Sequence, residues 1–361
     1  MPQNFSDSTL TINLSALEGN YRALATKAPS ATTGAVVKAN AYGLGAQPVA
    51  KTLYDAGCRH FFVAHLDEAL ELRPSLPNDS ELYVFHGVHP GQESEFFEHR
   101  LIPVLNTATQ LTAWRRFSLD KEQALPAILH VDTGMSRLGF SHDVLTNLDL
   151  SGLDIRYIMS HLACADTPKH SLNVEQKDHF ATACKLFKNT KATLANSSGI
   201  YLGKEYHHAL TRPGSALYGV NPTPEELNPM HPVVTLTSRI LQLRTITKRT
   251  SIGYSATHIL EPGCVVATIP VGYADGYFRS LSNKGYALLG KTRIPLIGRV
   301  SMDLITLDVT NVPENLRHEG AEVELLGQHI TVDDLATDAG TIGYEVLTRL
   351  GNRYKRHWMK S

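Results

Sequence analysis

Lys38 stands in an otherwise apolar run, Val36-Val37-Lys38-Ala39, where an amine must be paired or turned into a pocket. Burial disfavours the ammonium and raises the neutral, nucleophilic fraction, the form that condenses with a carbonyl to a Schiff base. Further along the chain, Asp132 with Arg137, His161, Asn196 with Ser197, and Arg212 each lie at or just beyond the end of a short apolar run. Singly, each has a plain structural reading: a lysine paired with a carboxylate, a satisfied histidine, an arginine capping a strand. Polar side chains gathered at the ends of parallel strands are where barrel enzymes keep their reactive groups, and together these residues suit Schiff-base chemistry on a small molecule.

The elements that must position them are short β-branched or apolar runs, each followed by an amphipathic stretch. Eight runs are seen: Gly34 to Asn40, Phe61 to Leu66, Leu82 to Gly87, Ile102 to Asn106, Ala127 to Asp132, Ile155 to Leu162, Ala192 to Asn196 and Ala209 to Arg212. With helices expected at Gln47 to Ala56, Thr107 to Phe117 and Leu172 to Phe187, this is the pattern of a closed (β/α)8 barrel. An open doubly wound sheet is the alternative, but Gly43 and Gly45 lack the third glycine of a dinucleotide-binding turn. Beyond residue 230 the helical period fades and strand signals take over at Val233 to Ile246, Cys264 to Val271, Asp303 to Val309 and Glu322 to Leu326. The proline-rich stretch Asn221 to Pro232 marks a boundary. The expected class is α/β, with an N-terminal (β/α)8 TIM barrel over 1–230 and a β-rich C-terminal domain over 231–361.

A formal net charge of −1 across 361 residues leaves no electrostatic footprint for nucleic acid or an anionic membrane, so a small-molecule partner is expected. The polar start, Met1 to Leu10, and the lack of a membrane-length apolar run point to the cytoplasm. Cys58, Cys164, Cys184 and Cys264 are scattered without zinc or disulfide spacing and read as small core residues. The basic end, Arg353 through Lys360, reads as a solvated face.

In ordered motifs over nearly its whole length, the sequence resembles the alanine racemase family. They include Val37-Lys38-Ala39-Asn40-Ala41-Tyr42-Gly43, Val131-Asp132-Thr133-Gly134-Met135-Ser136-Arg137, Ser160-His161-Leu162-Ala163, Ala195-Asn196-Ser197, Arg212-Pro213-Gly214, Gly272-Tyr273-Ala274-Asp275-Gly276, Gly298-Arg299-Val300-Ser301-Met302-Asp303 and Gly343-Tyr344. The resemblance implies pyridoxal 5'-phosphate held by Lys38, with Lys38 and Tyr254 as the two bases that flank the cofactor and interconvert L- and D-alanine. A phenol titrates near about pH 10, so Tyr254 needs neighbours that favour its phenolate, with His161 and Arg212 as suppliers. Arg212 resembles the residue facing the pyridine nitrogen, and His161 the imidazole stacked on the ring. Tyr42, Ser197, Gly214, Ser215 and Tyr344 resemble the phosphate ligands, with Gly214 and Ser215 leading into a helix whose N–H groups can hold an anion. Arg137 and the backbone at Met302 resemble the groups that receive the substrate carboxylate. Tyr273, Asp166, Arg279, Arg299 and Ile342 resemble an access channel.

The resemblance also implies a homodimer with shared sites, Tyr254 of one chain approaching Lys38 of the other, and a role in supplying D-alanine for peptidoglycan or in degrading it. Serine or another small amino acid is the alternative substrate. A decarboxylase on the same plan is disfavoured by Arg212, and a single-barrel carrier of the cofactor by the second domain. Three positions depart from the family pattern: His130 stands where many members carry a carboxylated lysine that orients the arginine equivalent to Arg137, while Thr193 and Leu44 each replace a histidine.

Overall fold

A computed structural model of the chain describes residues 6–360. These form two compact units, one of residues 17–217 and 221–230, the other of the remainder. In the first, Ala35–Val36, His60–Val63, Glu81–Val84, Leu101–Leu105, Leu125–His130, Leu153–Met159 and Lys191–Thr193 make a parallel sheet in chain order. Thr32–Thr33, which precedes Ala35–Val36 across Gly34, pairs in parallel with Leu210–Thr211. Backbone bonds from Thr32 N to Ala209 O (3.0 Å), Gly34 N to Thr211 O (2.9 Å), Ala209 N to Ala192 O (3.0 Å) and Arg212 N to Ala195 O (2.9 Å) close the eighth strand onto the first and the seventh. The expected barrel is therefore present. Gly34 is demanded by proximity: a Cβ there would lie 3.0 Å from the His60 carbonyl and 3.1 Å from the Phe62 ring.

Strands covered on both sides read as continuous apolar runs, and Phe61, Phe62, Leu82, Tyr83, Val104, Ile128 and Ile158 are all fully buried. Each buried phenylalanine contributes roughly 1.5 to 3 kcal/mol. Helices Ala46–Asp55, Ala108–Asp120 and Ser171–Leu186 lie where the amphipathic stretches predict them. Thr107 caps the second of these, accepting from the Gln110 N–H at 3.3 Å.

The other unit is β-rich, as expected. Its six-stranded sheet runs Thr292–Pro295, Tyr286–Leu289, Glu322–Leu326, Val234–Arg239, Ser8–Asn13, Lys355–Met359, beside a three-stranded sheet of Gln242–Thr245, Val265–Ile269 and Ile305–Asp308. The unit resumes at His231, at the end of the proline-rich stretch. The sequence reading left Ser8–Asn13 in the N-terminal domain, yet this strand pairs antiparallel with Val234–Arg239 and parallel with Lys355–Met359. The pattern B-i-B-i-B-i of its burial is that of a strand with one face on a core. The basic tail is solvated as expected, but ordered: its exposed residues alternate with half-buried ones along an edge strand, and Arg353 is ion-paired to Asp275 (2.9 Å) and Asp303 (2.8 Å). Among the described residues no helix is long and apolar enough to cross a membrane.

Candidate active site

Where the sequence predicts a strand from Gly34 to Asn40, the backbone leaves the sheet after Val36. Lys38 opens a turn in which Ala39, Asn40, Ala41 and Tyr42 all have left-handed φ values, 52°, 53°, 53° and 54°. None is glycine, and the left-handed conformation costs about 1 to 2 kcal/mol for each such residue. The surroundings over-determine it. Ala41 N donates to Val37 O (2.8 Å), Gly43 N to Ala39 O (2.7 Å) and Gly45 N to Asn40 O (2.9 Å). The Asn40 carbonyl oxygen of the side chain accepts from Ala46 N (2.7 Å), and Glu68 accepts from Ala39 N (2.6 Å).

The Lys38 amine reaches a cavity of about 250 Å³ at the C-terminal ends of the strands, shared with Arg137, His130, His161 and Arg212. Burial, followed by the charge of Arg137, lowers its pKa, partly opposed by Glu68. A larger neutral fraction results, as a nucleophilic amine requires. Phe85 walls the amine, its ring centre 5.9 Å from Nζ.

Arg212 is buried and spends its donors on the barrel. Its guanidinium donates to Thr193 Oγ1 (2.5 Å), Ser160 O (2.7 Å) and Leu194 O (3.3 Å). Thr193, one of the departures from the family pattern, donates a hydrogen bond from its own hydroxyl to Leu210 O (2.6 Å). Burial brings Arg212 down to about 9, so it stays cationic at neutral pH. His161 is held well below its ordinary value by burial and then by Arg212 and Arg137. It is therefore neutral, so of the two ways the sequence allows it to favour a phenolate, positive charge or hydrogen-bond donation, only donation from its N–H remains.

His130 adopts a role different from a carboxylated lysine. The Asn106 side-chain nitrogen donates to Phe85 O and Val104 O, both at 2.9 Å, so its oxygen is the acceptor and His130 Nδ1 is the donor to it at 2.7 Å. Burial, then the charge of Arg212, pushes His130 down to about 4. The neutral ring thus keeps Nε2 as a lone-pair acceptor on the cavity wall. Its folded pKa lies below the unfolded value, so the stability it contributes is present above about pH 6.5 and lost as pH falls towards 4, by about 3 kcal/mol. We expect His130→Asn to flatten the fall in denaturant midpoint between those pH values; an acid limb as steep as that of the unmodified protein overturns the assignment.

The remaining expected residues fall in two places. Arg137 is exposed on the cavity rim, in a loop held by Asp132, whose Oδ1 accepts from the N–H groups of Gly134, Met135 and Ser136 at 2.9 to 3.1 Å. Ser197 Oγ accepts from Gly214 N (2.9 Å) and Ala216 N (3.2 Å), leaving its own proton to donate. Gly214 lies against Tyr42, where a Cβ would come 2.5 Å from the phenol oxygen. Ser215 begins only a 3-10 turn, Ser215–Tyr218, rather than the expected helix. Tyr254, Met302 and Tyr344 lie on the other unit, where all three are exposed and Tyr254 opens the turn Tyr254–Ala256. The sequence reading missed Phe85, His86, Asn106 and Glu68. The first three follow directly from strand ends, a signal that a stricter reading of each apolar run would catch; Glu68 sits inside the helix Leu66–Leu72 with no such mark.

Comparison with known proteins identifies the family. Residues 12–222 match the family model described as the alanine racemase N-terminal domain, and residues 233–358 that of the alanine racemase C-terminal domain. The chain is 48% identical over 360 residues to an alanine racemase of Rhodospirillum rubrum, covering 97% of this chain and 95% of that one. It is 47% identical over 365 residues to that of Brucella abortus, covering 96% and 92%. In structure it superposes with a TM-score of 0.94 and 38% identity on an alanine racemase of Bartonella henselae with covalently bound pyridoxal phosphate, over 99% of this chain and 100% of that chain. With both units matched and the polar strand ends in place, the chain belongs to the alanine racemase family and is an amino-acid racemase.

Proposed function

We propose that the protein interconverts L- and D-alanine using pyridoxal 5'-phosphate attached to Lys38, with Lys38 and Tyr254 as the acid/base groups on opposite faces. The observation that carries this reading is the Lys38 amine, lowered by burial and set in a cavity with Arg137, His161 and Arg212. The donor set suits the group: a nucleophilic amine for its aldehyde, a buried cation in Arg212, and hydroxyls with a close-packed backbone at Ser197, Gly214, Ser215 and Tyr42. Tyr344 would add a further hydroxyl by the resemblance. When bound, pyridoxal phosphate supplies the electron-accepting ring that makes the substrate's Cα proton removable.

The protein's own part is placement and proton handling. Arg137, with the Met302 N–H, would hold the substrate carboxylate, a charge-assisted contact that fixes which face the amine meets. Lys38 takes or returns the proton on one side and Tyr254 does so on the other, so a proton lost from one face of Cα is replaced on the opposite face and the configuration inverts. Arg212 stays protonated and acts as a donor, not as a proton source. A homodimer with shared sites, Tyr254 of one chain approaching Lys38 of the other, belongs to the same proposal.

Incubating the protein and pyridoxal phosphate with L-alanine or L-serine, and following optical activity, tests the substrate assignment. L-Alanine is expected to lose its rotation faster; preference for serine would move the assignment to the alternative substrate.

A further inference from the structure

We propose that Glu68 is a positioning residue for Lys38, its carboxylate clamping the left-handed turn that follows the lysine to the end of the second barrel strand. The inference rests on the reading of Lys38 as the reactive amine. One oxygen, Oε1, accepts from Ala39 N at 2.6 Å. The other, Oε2, accepts from Ala64 N at 2.7 Å and His65 N at 3.3 Å. One side chain thus joins three backbone donors from two successive strand ends, immediately beside Lys38. Ala39 has φ 52°, in the strained turn, and the Glu68 bond is made by its own amide. The clamp requires two acceptor oxygens facing two sets of N–H donors. A glutamine of the same shape has only one, and its NH2 group would face N–H groups on one side. The carboxylate also bears on the amine's charge, opposing Arg137, while His86 and His161, both held below their ordinary values, face the same amine.

The test compares the full-length protein with Glu68→Gln and Glu68→Asp, each with and without pyridoxal phosphate. Hydrogen exchange by mass spectrometry reads the segment 37–45. Competitive labelling with acetic anhydride across pH, mapped to Lys38, reads the amine. In Glu68→Gln we expect the 39–43 amides to exchange at least about tenfold faster. Loss of the carboxylate favours the neutral amine, so Lys38 labelling at neutral pH should rise by up to about tenfold relative to the other lysines. Glu68→Asp, which retains both oxygens on a shorter arm, should fall between. Should Glu68→Gln not fold, the Asp variant carries the same two readouts. Faster exchange confined to 64–72, with 39–43 and Lys38 labelling unchanged, would show only a helix-capping role and overturn the proposal. Neither readout needs turnover, so a protein inactive on alanine would sink the functional reading while leaving the clamp to stand or fall separately.

Discussion

Lys38→Ala is expected to lower racemisation by more than about 10³-fold and to abolish covalent attachment of pyridoxal phosphate, while leaving the fold intact. On the proposed mechanism two functions are lost at once, the amine that holds the cofactor and one of the two proton-transfer groups. The fold should survive because the Lys38 amine has no ion-pair partner closer than the salt-bridge distance among the described residues, and the turn beside it is held by backbone and by Asn40 and Glu68. Borohydride reduction followed by peptide mapping checks the assignment. A pyridoxyl group mapped to another lysine in the unmodified protein would remove Lys38 from its proposed place, whatever the activity of the variant.

The second large effect concerns Tyr254. Tyr254→Phe alone should abolish proton exchange on one face and so halt racemisation, since the other face is then served by Lys38 alone. Mixed under exchange conditions with Lys38→Ala protein, it should recover activity in about a quarter of the sites, because half the dimers are mixed and one site of each then keeps both groups. The proposal of shared sites requires that recovery. Native mass spectrometry showing mixed dimers without recovered activity would place both groups within one chain. Tyr254 is 71% exposed on its own unit, so a tyrosine serving only as packing on a sheet is a poor account of it.

The sequence by itself determined the identity and order of the barrel strands. Alternating apolar runs and amphipathic stretches are local signals, and the strands observed from His60–Val63 to Leu153–Met159 lie within two or three residues of the runs read from them. It also determined that Lys38, His161 and Arg212 come to one end, because residues after successive parallel strands emerge at the same end of the sheet. Tertiary structure decided the rest. Ser8–Asn13 joins a sheet with partners more than two hundred residues away, and nothing in its own pattern says which edge it meets. Four left-handed residues after Lys38 are locally unfavourable, and only the acceptors around them, Glu68 included, make that conformation stable. The proton on His130 is assigned by Asn106, from the neighbouring strand, and its neutrality by burial beside Arg212. A residue's type gives its possible chemistry; its charge state and tautomer depend on desolvation and on partners that only the closed barrel brings within hydrogen-bonding distance.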